Sequence, residues 1–127
     1  MIMENIIQLN NVRKEFQKGT NVVEVLNGVN LSLNQGELIA IIGPSGSGKT
    51  TLLQIIGLLD RPTKGDLFIK GVNQIDLTDK SRSRLRNQFF GFVYQFHHLI
   101  NEFSALENTM MPLLVRNEKI KDAKSIA

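Results

Sequence analysis

The sequence predicts an α/β domain in which an antiparallel β-region leads into an incomplete parallel core, and three adjacent stretches carry that reading. Leu38-Ile39-Ala40-Ile41-Ile42 is an unbroken apolar run, the pattern of a strand buried on both faces. Gly43-Pro44-Ser45-Gly46-Ser47-Gly48-Lys49-Thr50 fits the phosphate-binding template G-x-x-x-x-G-K-[ST] at every fixed position. Thr51-Leu52-Leu53-Gln54-Ile55-Ile56-Gly57-Leu58-Leu59 then reads as a helix starting at the loop. Strand, glycine loop and helix arrive in the order a phosphate loop requires.

The chemistry follows from the residue types. Gly43, Gly46 and Gly48 let the backbone fold round an anion with no side chain in the way, so several N–H groups can point inward together. Lys49 supplies a mobile ammonium for the β- and γ-phosphates, and the Thr50 hydroxyl a ligand for Mg²⁺. The dipole of the following helix adds to the anion site. An accidental glycine-rich turn is the alternative, and the flanking strand and helix patterns weigh against it. A dinucleotide loop is excluded, because Gly46-Ser47-Gly48 runs into Lys49-Thr50-Thr51 and never completes G-x-G-x-x-G.

Taken in order, Ile6-Ile7-Gln8-Leu9 opens a β-rich region that Val12 and Phe16 continue. Gln17 to Asn21 is a turn cluster, and Val22 to Leu26 is rich in β-branched residues. Val29-Asn30-Leu31-Ser32-Leu33 alternates at period two, as a half-buried antiparallel strand does. Asn34-Gln35-Gly36 turns the chain into the apolar run. Beyond the loop helix, Asp60-Arg61-Pro62-Thr63-Lys64-Gly65 breaks the pattern, and Asp66 to Lys70 is a short strand closed by Gly71. Thr78 or Asp79 can cap a helix carrying Lys80, Arg82, Arg84 and Arg86. These four cations are spaced by two, which spreads them over several helix faces and predicts a solvated surface. Phe89-Phe90-Gly91-Phe92-Val93-Tyr94 is a second β-prone run with Gln95 at its end. Ser104-Ala105-Leu106-Glu107 has the capping-box form and should start a helix, with Pro112 expected to kink it. Arg116 to Ala127 reads as the opening of a further helix.

At 127 residues, with 42% apolar and 21% charged residues, the chain is at most one domain of globular type. A net charge of +3, interspersed with 12 acidic residues, does not argue for nucleic acid. Cysteine is absent from the sequence, so neither a disulfide frame nor a thiolate metal site is available. Met1-Ile2-Met3-Glu4-Asn5 has no signal-peptide form, and no apolar run reaches membrane-spanning length. A cytoplasmic protein is the expectation, with any membrane role coming through a partner.

These residues together resemble the nucleotide-binding subunit of ABC transporters, whose phosphate loop commonly takes the form GPSGSGKT. The resemblance runs over nearly the whole chain. It implies a P-loop NTPase fold of the ABC ATPase type that binds ATP with Mg²⁺. An incomplete ATP-binding core with its antiparallel β-subdomain would fill 1–95, and the beginning of a helical subdomain 96–127. Phe16 falls where the family places an aromatic that stacks on adenine, although a β-rich segment needs aromatics in any case. Gly91-Phe92-Val93-Tyr94-Gln95 looks like the family's glutamine loop, which implies that Gln95 ligates Mg²⁺ and senses the γ-phosphate; an ordinary surface amide is the other reading. Thr51 is either a plain first-turn residue or a second hydroxyl on the α-phosphate. The phosphate contacts of Pro44, Ser45 and Ser47 come with the loop. Tyr94-Gln95-Phe96-His97-His98-Leu99 and Ala105-Leu106-Glu107-Asn108 most resemble the ATPase subunits of lipoprotein-releasing systems, with macrolide-export and cell-division subunits sharing much of the pattern. The resemblance implies a homodimer of nucleotide-binding subunits beneath integral membrane permease subunits, on the cytoplasmic face of the inner membrane. His97 and His98 would be exposed polar residues or contacts to that membrane partner.

Four of the family's motifs do not occur in the sequence: Leu-Ser-Gly-Gly-Gln, the acidic strand that orders Mg²⁺, the catalytic Glu after it, and the switch His. Phosphoryl transfer needs a residue to orient the attacking water. A chain with the cradle and without that carboxylate is expected to bind ATP and not to hydrolyse it alone, as the N-terminal part of an ABC ATPase would. A noncatalytic nucleotide-binding module is the reading from another class. A small-molecule P-loop kinase is disfavoured, because it gives no role to the antiparallel strands ahead of the loop.

Overall fold

A computed structural model describes residues 5–127; the Met1–Glu4 start, read above for a leader, lies outside the described residues. The chain divides into two compact units, one ending at Arg82 and the other spanning Ser83–Ala127.

The first unit is organised by a four-stranded antiparallel sheet in the order β2-β1-β3-β4, with β1 Asn5–Lys18, β2 Asn21–Asn34, β3 Lys64–Ile69 and β4 Val72–Asn73. The two β-rich segments at 22–26 and 29–33 join into the single strand β2, which folds back on β1 through the predicted turn at Gly19-Thr20. Register slips between Leu9 and Val12, where Asn11 has a positive φ of 49°. An inserted residue reverses which face a strand presents. Ile7, Leu9 and Val12 therefore all reach the core although their numbers change parity. Gly65 shows why the break after the loop helix needs glycine: its φ is +87°, and a Cβ there would run into the Asn11 carbonyl. Helix α1, Lys49–Ile56, buries Leu52 and Ile55, and Leu58 just beyond it is fully buried. With Leu26, Leu67 and Ile69 these side chains make the core of the unit.

Three sequence expectations are corrected. Leu38 to Ile42 forms no strand, and Leu38 and Ile42 are 96% and 92% exposed. A parallel strand of this kind holds only between neighbours that take its hydrogen bonds and cover both faces. Among the described residues the sheet is wholly antiparallel and none of its strands pairs with this run. Phe89 to Tyr94 likewise forms no strand. Phe89 ends helix α2, Asp79–Phe89, and residues 90–94 belong to no helix or strand. Third, Arg82 is not on a solvated face. It is 4% exposed, and its Nη2 donates to the carbonyls of Leu58 at 3.0 Å and Asp60 at 2.6 Å. Helical periodicity places a cation on a face but cannot show which carbonyls that face meets.

The expected caps are present. The Thr78 hydroxyl accepts from the Ser81 N–H at 3.3 Å at the start of α2. In the second unit, helices α3 (Ala105–Val115) and α4 (Ile120–Ile126) bury Met110 and Ala123. Helix α3 runs through Pro112 to Val115. Its capping box is complete: the Ser104 N–H and hydroxyl donate to Glu107 Oε2 at 2.8 and 2.7 Å, and the Glu107 N–H donates back to Ser104 Oγ.

The Ser104 hydroxyl, then the Ser104 amide, hold the Glu107 carboxyl below its ordinary pKa. A depressed folded-state pKa contributes stability that is complete above the ordinary glutamate range and is lost as pH falls through the lowered value. Helical circular dichroism should therefore fall with acidification over that interval. Ser104→Ala should flatten the dependence, and an identical acid limb in the variant would refute the assignment.

Candidate functional site

Residues 43–48 form a loop that runs into helix α1, and its details explain the residue types. Helix α1 begins at Lys49 with Gly48 as N-cap and no side-chain hydrogen bond capping it. The first-turn amides of a helix have no intrahelical acceptor, so here they remain as donors for an anion. Gly48 has φ +89°, and a Cβ on it would lie 2.9 Å from the Val25 carbonyl oxygen and from Leu26 Cδ2. Any other residue would be strained twice over, by its backbone angle and by the wall of β2 behind it.

The Lys49 ammonium closes the loop on itself, donating to the carbonyls of Gly43 and Pro44, each at 2.7 Å, and to Ser47 Oγ at 3.3 Å. The Ser47 N–H donates to the Pro44 carbonyl at 3.2 Å, giving a tight turn at Ser45-Gly46. A cavity of about 490 Å³ opens here, lined by Val25, Ser45, Gly46, Gly48, Lys49, Thr50 and Thr51. Residues that carry one cation, two threonine hydroxyls and a serine hydroxyl thus line one space beside the uncapped first turn of α1. That donor set fits a polyphosphate. Mg²⁺ keeps several waters and binds through a few oxygens including phosphates, so the Thr50 hydroxyl also suits it.

Phe16 stands on β1 opposite Val23, two residues along β2 from Val25. At the usual strand rise, two residues span about 7 Å, within the reach of a nucleoside from its phosphates. The ring is on the surface, 43% exposed, so the plain-core reading of Phe16 does not describe it. Gln95 is exposed, lies outside helix and strand, and belongs to the second unit, whereas the loop and Phe16 belong to the first. His97 and His98 are exposed in that second unit, where His98 makes an edge contact with Tyr94 at 4.9 Å. Two residues escaped the sequence reading. Val25 lines the cavity and backs Gly48, at a register irregularity that β-branched composition does not announce. Lys14 lies with its ammonium 4.9 Å over the Phe16 ring.

Residues 26–127 match the family described as ABC transporter. The chain belongs to that family. It is 56% identical over 111 residues to the lipoprotein-releasing system ATP-binding protein LolD of Legionella pneumophila strain Lens, covering 87% of this chain and 49% of that protein. It is 49% identical over 120 residues to LolD of Alcanivorax borkumensis, covering 94% of this chain and 53% of that protein. The dimeric ATP-binding cassette MJ0796, solved with ADP and Pi, superposes with a TM-score of 0.87 at 38% identity, over 94% of this chain and 53% of that one. The chain thus spans about half the length of the ABC relatives it matches. The likeness to cassette structures establishes the ABC ATPase fold class for a chain whose own sheet is antiparallel. Among the described residues no helix is long and apolar enough to cross a membrane.

Proposed function

We propose that this chain forms the phosphate-loop part of the ATP-binding subunit of an ABC transporter that releases lipoproteins from the bacterial inner membrane. The observation that carries the reading is the uncapped start of α1 at Gly48-Lys49, facing a cavity shared with Lys49, Thr50 and Thr51. In this reading the amides of Gly46 and of Gly48 to Thr51, with Gly43, Pro44, Ser45 and Ser47 shaping the turn, wrap the β- and γ-phosphates of ATP. Lys49 leaves its carbonyl partners to bridge them, and Thr51 reaches the α-phosphate. Thr50 would hold Mg²⁺, to which the family resemblance would add Gln95 as a ligand; the ion would neutralise phosphate charge, and Phe16 stacks on the base.

The lipoprotein-releasing assignment rests on the LolD likeness, at about half identity across most of the chain. By the same likeness the subunit works as a homodimer beneath integral membrane permease subunits, peripheral to the cytoplasmic face. Residues 1–95 act as part of the ATP-binding core and 96–127 as the start of a helical subdomain. These 127 residues contain no water-orienting carboxylate after an acidic strand and no signature segment. Without a group to orient the attacking water, the cradle holds ATP but does not turn it over.

The test is binding against turnover. The purified chain should bind Mg·ATP in calorimetry and release no phosphate above the solvent rate. Absence of ATP binding would overturn the nucleotide site, and measurable hydrolysis would overturn the claim that these residues bind without catalysing.

A further inference from the structure

The Lys14 ammonium meets three groups from different parts of the first unit. Its side chain is 12% exposed, and it donates to Asp60 Oδ1 at 2.7 Å and to the Arg61 carbonyl at 2.7 Å. The same nitrogen stands 4.9 Å over the Phe16 ring. Asp60 and Arg61 belong to the segment leaving α1, whose first turn lines the phosphate cavity. Asp60 is itself held in place, because Oδ1 also accepts the Arg61 N–H at 2.7 Å. Arg61 in turn donates to the carbonyls of Ile75 and Leu77 at 2.9 and 2.7 Å. The cation is thus fixed by a charge-assisted pair and cannot follow the ring.

An exposed aromatic on a strand ordinarily keeps rotamer freedom, which a stacking ligand must remove at a cost to affinity. A fixed cation over one ring face removes that freedom beforehand, through the attraction between the charge and the ring quadrupole. From this we infer that Lys14 is a positioning residue for nucleotide recognition: it holds Phe16 ready to stack on the base and ties that ring to the helix that carries the phosphates. The inference rests on the reading of Phe16 as the base platform and deepens it. It separates two parts of the ligand. The loop binds the polyphosphate without Lys14, and the preference for a nucleotide over a bare polyphosphate depends on it.

The test compares ATP with inorganic tripolyphosphate, each competing against a ribose-labelled fluorescent ATP on the full chain at submicromolar concentration. Lys14→Met keeps the aliphatic stem and removes the charge. It should weaken ATP about threefold to tenfold, by restoring the ordering cost, and leave tripolyphosphate unchanged. Lys14→Arg should retain the preference. On a Phe16→Ala background, Lys14→Met should add no further loss, since the ring it orders is gone. If Lys14→Met lowers both ligands equally, Lys14 is a structural or general electrostatic residue and the inference is overturned. If Phe16→Ala lowers the ATP preference while Lys14→Met does not, the inference fails and the base platform stands. If Phe16→Ala leaves the preference untouched, the base platform itself fails, and the inference with it. Should Lys14→Met not unfold cooperatively, Lys14→Gln, which keeps a donor for Asp60 and Arg61 but no charge, is read by the same outcomes.

Discussion

Replacing Lys49 with alanine is expected to weaken Mg·ATP binding by about a hundredfold or more, because a hydrogen bond to a charged group contributes roughly 1.5–3 kcal/mol and this ammonium would make two or more. In the free chain Lys49 bridges the Gly43 and Pro44 carbonyls at 2.7 Å each, bonds that are given up when the ammonium turns to the phosphates and that offset part of the gain. The substitution acts on the anion site and not on the core, since Lys49 does not belong to the buried set around Leu9, Ile55 and Leu67. Calorimetric titration with Mg·ATP should therefore show the loss while the thermal transition stays where it was. Unchanged ATP affinity would remove Lys49 from the site, and a collapsed transition would recast it as a folding residue.

Arg82→Ala should produce the largest loss of stability of any substitution on α2, about 2–4 kcal/mol, or roughly 10 °C in the transition midpoint. Two carbonyls, of Leu58 and Asp60, would lose a guanidinium donor that reaches them at 3.0 and 2.6 Å. An acceptor that loses a charged donor, buried at Leu58 and part-buried at Asp60, costs stability, and the missing aliphatic stem leaves a space as well. Lysine should rescue in part, because both bonds come from the single Nη2 and one ammonium can donate to both oxygens, while the rest of the buried guanidinium is lost. Arg84, exposed on the same helix, is the control, and its alanine variant should stay within about 0.5 kcal/mol of the parent. Equal effects at Arg82 and Arg84 would mean that the two carbonyl bonds contribute nothing net.

The contrast between Arg82 and Arg84 shows where sequence reasoning stops. Spacing by two says that two arginines on a helix point differently, but not which of them meets the α1 exit. There the chain turns at Leu58, whose φ is +61°, and offers two carbonyls. Leu38 to Ile42 is a second example. Its composition is right for a buried strand, yet strand formation is a property of pairs, and among the described residues it has no pairing strand. The capping box at Ser104 and Glu107, by contrast, was readable from four letters, because all its partners lie within one turn.

The same distinction runs through the candidate site. Local chemistry determined the loop: three glycines, a lysine and a threonine at fixed spacing imply a backbone cradle wherever they are followed by a helix. Only the tertiary structure decided what stands round that cradle: Val25 behind Gly48, the cavity wall of β2, and Lys14 fixed over Phe16 by Asp60. Val25 and Gly48, and Lys14 and Asp60, lie tens of positions apart, and their geometry comes from strand register and a helix exit, neither of which any short stretch of sequence encodes.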